Sequence, residues 1–157
     1  MKGQLSFMDM ERKTVLMSLR EEYYQQILNG TKKYEYRTRY LKEESNAYIY
    51  ISKTRKSIVA KINFGEPIIG DAKTIALIAE EEQTGSFNDM IAYFYKNIGY
   101  AIPIESVTII DDIDLIQLKK DFPNFVVPQS YYILDKKPEL LSYLDERTKG
   151  KECIKRK

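Results

Sequence analysis

The period of apolar positions changes several times along this chain, and each change marks an element. Thr14–Leu19 (TVLMSL) is a short apolar run with β-branched entries, which predicts a first strand. From Arg20 to Leu28 the period lengthens: Tyr23, Tyr24, Ile27 and Leu28 fall three and four apart, on one helical stripe. Glu21 and Glu22 suit the positive end of that helix, and Asn29–Gly30 is a natural stop because both tolerate the left-handed conformation. If Lys33–Arg37 is extended, Lys33, Glu35 and Arg37 share one face and Tyr34 and Tyr36 the other, in or near the core. Ala47–Ser52 and Ser57–Phe64 alternate as strands around a basic loop, Lys53–Lys56, and Gly65–Pro67 interrupts the pattern before Ile68–Ile69.

The middle of the chain is helical in character. Ala72–Glu82 reads as one helix, stopped near Thr84–Gly85. Ser86 stands where it would cap a second, Phe87–Lys96, with Asp89 at the capping-box position. Tyr100–Val107 returns to strand character, continued to Ile110, and Pro103 asks for an edge or a bulge. A short helix over Asp114–Lys120 is broken by Phe122–Pro123, Tyr131–Leu134 reads as a strand, and Pro138 opens a last helix to Arg147. Five or six short strands without repeating strand–helix units predict a mixed α/β (α+β) domain. A closed or nearly closed sheet with helices around it fits better than a doubly wound one. The expected organisation is a flexible arm over residues 1–13, one domain over 14–147 and a flexible basic tail over 148–157.

Composition narrows the classes. A chain of 157 residues, 43% apolar and 31% charged, has room for one core and is too apolar to be disordered. No window is long and apolar enough for a membrane span, and the N-terminus lacks the apolar stretch of a secretory signal. The single cysteine, Cys153, permits no internal disulfide and agrees with a reducing, cytoplasmic setting. With no histidine, triads built on His, Cys–His pairs and zinc sites of the usual N/S kind are excluded. No metal or cofactor is expected, although a carboxylate-held Mg²⁺ stays open.

Net charge is only +2, yet it is segregated. Residues 12–61 hold 12 Lys/Arg against 5 Asp/Glu, residues 62–146 hold 6 against 15, and the last eleven hold 6 against 1. The uneven distribution predicts a basic face toward phosphates and an acidic opposite side. Its candidates are Lys32, Lys33, Arg37 and Arg39, with Lys53, Arg55 and Lys56 as a basic loop. Arg37 offers a rigid fork of donors for phosphate or a base edge, and Lys32 a mobile point charge. Glu35 does not belong in a pure phosphate patch. It suits a base amino group, an organiser of Lys32 and Arg37, or a general base.

The stretch VLMSLREEYYQQILNGTKKYEYR, over residues 15–37, resembles the opening of an ASCH domain, a branch of the PUA-like superfamily. The pattern is a strand, a helix and G-x-K-x-x-E-x-R, here Gly30, Lys32, Glu35 and Arg37. The segments IYISKTRKSIVAKINFGE, YAIPI and VVPQSYYIL extend the resemblance over about residues 14–135. It implies a small PUA-like β-barrel decorated by helices, with a cleft beside that segment. Through PQSY it adds Gln129 and Ser130 as ligand-binding candidates, with Tyr131 or Tyr132 closing the cleft. Relatives are associated with RNA or modified nucleosides, and some hydrolyse N4-acetylcytidine through a K-x-x-T arrangement. Glu35 stands where that threonine would be.

Three functions follow as expectations. The first is a binding module for RNA or a nucleotide-like small molecule, with DNA as a possible substitute. The second is a hydrolase, an N4-acetylcytidine amidohydrolase or a ribonuclease, using Lys32 and Glu35 as its acid–base groups. The third is a regulatory domain that meets an unidentified protein through the acidic, tyrosine-bearing region 80–115.

Overall fold

The computed structural model describes residues 12–156. Of the expected arm over 1–13, residues 1–11 lie outside the described residues; Arg12 is paired with Glu44 at 2.8 Å and Glu105 at 3.0 Å, and Lys13 already belongs to the first strand. In chain order the elements are β1 (Lys13–Leu19), α1 (Glu21–Leu28), β2 (Tyr34–Arg37), β3 (Ser45–Ile51), β4 (Ser57–Phe64) and β5 (Ile68–Gly70). Then come α2 (Ala72–Glu82), α3 (Phe87–Phe94), β6 (Gly99–Asp114), α4 (Leu115–Asp121), β7 (Tyr131–Ile133), a 3-10 turn (Leu134–Lys136), α5 (Pro138–Thr148) and β8 (Cys153–Lys155).

The strands form one curled, mixed sheet in the order β2-β6-β4-β3-β1-β7, with β5 and β8 also paired to β6. Among the described residues only β1 and β3 run parallel, and the other pairs are antiparallel. The 16 residues of β6 produce the curl. Its first part pairs with β2 and β5, and its second part with β4 and β8. The register with β4 slips where Phe64 pairs with Ile104 and Asn63 with Ser106. Pro103 sits beside that slip, and its carbonyl accepts from Gly65 N–H. The proline thus occupies an irregularity in the central strand, not an edge, and the irregularity is where one strand passes between two sheet halves.

Strand alternation divides the interior in two. Val15, Met17, Ile49 and Ile51 enter the core inside the curled sheet with Phe64, against Tyr24 and Ile27 of α1. Leu16, Tyr48 and Tyr50, one residue out of phase, enter a second core under Leu118, Leu140 and Leu144. A third, smaller cluster joins Tyr36 to Ile75 of α2 and Phe94 of α3.

Two local expectations fail for identifiable reasons. Ser86 makes no side-chain cap; instead the Glu80 carboxylate accepts from Gly85 and Phe87 N–H, reaching the orphan donors of α3 from the preceding helix. The C-terminal segment is not a loose extension. Residues 153–155 pair with β6, and the Arg156 guanidinium donates to the carbonyls of Ile27 and Leu28 at the end of α1. Unfilled carbonyls at a helix C-terminus favour a cation, so the basic tail is held by charge as well as by pairing. No helix of the described residues is long and apolar enough to cross a membrane.

Candidate functional site

Strand β2 is four residues long, and its short run brings the charged motif together. Gly30, at φ +84°, turns the chain out of α1, and Lys32 N–H returns to the Gln26 carbonyl at 3.0 Å. Lys32 Nζ then lies 3.4 Å from Glu35 Oε1, while Arg37 Nε donates to Glu35 Oε2 at 2.7 Å. The three side chains are only 10%, 9% and 13% exposed. Both carboxylate oxygens thus face a cation, the arrangement that makes a buried Glu tolerable.

Arg37 is more of a brace than the free phosphate fork its sequence suggested. Besides Glu35 it donates to Ser130 Oγ at 3.1 Å and to the Ser18 carbonyl at 2.9 Å, tying β2 to β1 and to the loop before β7. Ser18 N–H in turn donates to the Ser130 carbonyl, and its hydroxyl to the Pro128 carbonyl. Lys32 is seated between rings, its Nζ 4.9 Å from the centroid of Tyr36 and 5.5 Å from that of Tyr23.

Tyr36 is held from beneath. Its hydroxyl donates to Glu82 Oε1 at 2.9 Å, and Glu82 Oε2 accepts from Lys33 N–H and, at 3.0 Å, from Tyr34 N–H. Burial, and then the neighbouring Glu82 charge, push the Tyr36 hydroxyl well above the ordinary tyrosine pKa. Tyr34 and Tyr36 therefore pack as core edges, as the alternation predicted.

These groups form one wall of an open cavity of about 880 Å³. Of the predicted site residues, Lys32, Glu35, Arg37, Arg39, Gln129 and Ser130 line it. Lys33, Lys53, Arg55 and Lys56 do not. The Lys33 side chain is exposed elsewhere, and Arg55 is taken up by Glu21 at 2.7 Å and by Asp112 at 3.4 Å. That pairing holds the Glu21 carboxyl below its ordinary pKa.

Tyr131 and Tyr132 both line the cavity, so the choice between them disappears. The Tyr131 ring meets Tyr40 edge-on at 5.1 Å, and the Tyr132 hydroxyl donates to the Val126 carbonyl at 2.7 Å. Sequence reasoning missed Arg20, Tyr23, Met90 and Tyr93, which also line it. Arg20 and Arg39 are the exposed cations there. Arg20 had a legible signal, a cation immediately before a helix whose first turn faces the motif; Met90 and Tyr93 come from a helix some fifty residues away and had none. Among the described residues no group of three or more His, Cys, Asp or Glu is placed to hold a metal ion.

Neither protein-family models nor curated proteins give a match to this sequence. Solved structures do. The ASCH protein of Zymomonas mobilis superposes with a TM-score of 0.69 at 27% identity, over 84% of this chain and 96% of that one. Two single-substitution variants of that protein, a serine-to-alanine and a tyrosine-to-phenylalanine, superpose equally well, each with a TM-score of 0.69 at 26% identity. They cover 85% and 83% of this chain and 97% and 98% of theirs. The chain has the ASCH-family fold. With it come the curled sheet and the mixed α/β class that the motif implied, and the ASCH resemblance extends well beyond residues 15–37.

Proposed function

We propose that the ASCH cleft of this protein binds RNA or a modified nucleotide, one nucleotide unit at a time in the cavity. The observation that carries the reading is the buried Lys32–Glu35–Arg37 cluster on the wall of a cavity of about 880 Å³, with exposed Arg20 and Arg39 beside it. A carboxylate acceptor next to an ammonium donor matches a base edge that presents a donor beside an acceptor. The rings of Tyr23 and Tyr93 offer faces for a base. Arg20 and Arg39, rather than the braced Arg37, are the cations available to phosphate. A free, exposed thiol at Cys153 fits a reducing compartment such as the cytoplasm.

The test is binding of labelled RNA and DNA pools across a salt series. Affinity should fall with salt, fall further in Lys32→Ala, and lose part of its salt slope in Arg39→Ala. Binding indifferent to salt and to both substitutions would remove the reading. A second reading, hydrolysis, draws on the same pair, because a lysine 3.4 Å from a carboxylate in a cleft is a usable acid–base couple. Thr38 and Ser130 both line the cavity, though neither replaces the threonine that Glu35 displaces. Product formation from N4-acetylcytidine or RNA, abolished in Lys32→Ala, would establish it; no turnover at saturating ligand would dismiss it.

A further inference from the structure

Helix α3 ends in an aromatic turn beside the cleft that core packing does not explain. Tyr93 lines the cavity and is 56% exposed. Phe94 next to it is fully buried and meets the Tyr93 ring edge-on at 4.8 Å. Tyr95 then adopts φ 48° and ψ −111°, a backbone conformation rare for a residue with a Cβ, while its N–H donates to the Ile91 carbonyl at 2.7 Å. Its ring is left 69% exposed, with Lys96 Nζ 5.5 Å from the centroid.

The far end of the turn is pinned as firmly. A Cβ on Gly99 would come within 2.8 Å of Phe94 and 2.9 Å of Ile75, so the backbone there rests directly on the third cluster. Strain held by a rigid surround while the side chain faces solvent is the pattern of a ligand contact. Successive Cα atoms lie about 3.8 Å apart, so Tyr95 starts within about 8 Å of Tyr93 and of the cleft.

Charge favours the same kind of ligand. Among the described residues Lys96 enters no ion pair. On α2, the carboxylates of Glu80 and Glu82 are spent on N–H donors of the α2–α3 connection and of β2 and on the Tyr36 hydroxyl, and Asp89 is the exposed acid of α3, one turn before Tyr93. We infer that Tyr95 and Lys96 form a second stacking station, so that the cleft takes a single strand of nucleic acid whose next nucleotide lies on this rim. The inference rests on the cleft reading above and adds chain length to it.

The experiment compares mononucleotides with fluorescein-labelled ribo- and deoxyribo-oligomers of about nine nucleotides, by anisotropy and competition, on the full chain. Tyr95→Gly removes the ring and suits the positive φ, and Tyr95→Phe keeps the ring. The oligomer should bind more tightly than any mononucleotide. Tyr95→Gly should weaken the oligomer about fivefold to a hundredfold, with mononucleotide affinity unchanged and the melting temperature held or raised as the strain is relieved, and Tyr95→Phe should behave as the parent. The two oligomers report whether the sugar matters. Mononucleotide and oligomer binding equally, or Tyr95→Gly without effect, overturns the inference and leaves the cleft reading intact. No binding of either removes both. A concentration-dependent dimer that Tyr95→Gly dissolves, with oligomer affinity unchanged, assigns the turn to a second copy of the chain and overturns it as well.

Discussion

Glu35 sits between two cations with its carboxylate shared, and among the described residues neither cation has another carboxylate partner. Glu35→Gln keeps the shape and leaves Lys32 and Arg37 together without a counter-charge. Removing one member of a buried pair costs about 3 to 5 kcal/mol, and the open cleft places this one near about 3 kcal/mol. Urea unfolding reads it; a loss under about 1 kcal/mol would mean the cluster is solvated like an exposed pair. Glu82 acts one layer further in. Glu82→Ala strips the acceptor from Lys33 N–H, Tyr34 N–H and the Tyr36 hydroxyl, at about 1 to 3 kcal/mol for the donors left unsatisfied. Because Tyr36 is the floor under Lys32, nucleotide affinity should fall too. Glu82→Gln, which restores one acceptor, should recover part of both. Unchanged affinity in Glu82→Ala would separate the floor from the site.

At the scale of elements, the cleft is made where short pieces are tied to long ones. The four residues of β2 survive because β6 pairs with all of them and Glu82 closes their entry. The α2–α3 pair reaches the cleft because Phe94 and Ile75 pack directly on the backbone of Gly99. Gly99→Ala should therefore destabilise the protein by about 1 to 3 kcal/mol, since the added methyl meets packed rings and chain rather than a flexible tip. Hydrogen exchange should show the loss concentrated in residues 87–103, and uniform loss across β1 and β3 would argue against that location. The ease of reading differed between elements for the same reason. Strands β1, β3 and β4 and helix α2 carry their period in their own residues, and their predicted bounds stand within two residues. Strands β5 and β8, three residues each, have no period to read and exist only because β6 offers donors and acceptors.

For the whole molecule, pH acts from the two ends of the scale. Hydrogen bonding to Arg55, and then to Gln25, holds the Glu21 carboxyl below its usual pKa, so its contribution is present above the ordinary carboxylate range and is lost as pH falls through the lowered value. Burial pushes Tyr24 and Tyr132 up to about 12 and raises Tyr36 and Tyr40 as well. Neutral tyrosine is the folded form. That stability is complete below 10, the ordinary value, and is lost as pH climbs from 10 toward about 12. With no histidine in the chain, the melting temperature should be flat through neutral pH and drop at both extremes. A melting-temperature profile that bends between about pH 6 and 8 would point to a group other than these.

The order of residues along the chain was enough to read the longer elements and the mixed α/β class. Apolar periodicity is a property of neighbouring residues, and alternation puts Glu35 and Arg37 on one face once β2 is extended, whereas Lys32 joins them through the turn that follows α1. The absence of histidine closes several mechanisms outright, because no arrangement in space can supply a missing imidazole. How the remaining residues are used is a matter of tertiary contacts. Arg37 became a brace because Ser18 and Ser130, distant in sequence, converge on its donors. Arg55 left the basic face because Glu21 and Asp112 surround it, and the basic tail became a strand because β6 and the end of α1 receive it. Pairing between distant segments depends on where the curled sheet brings them, and local composition does not encode that distance.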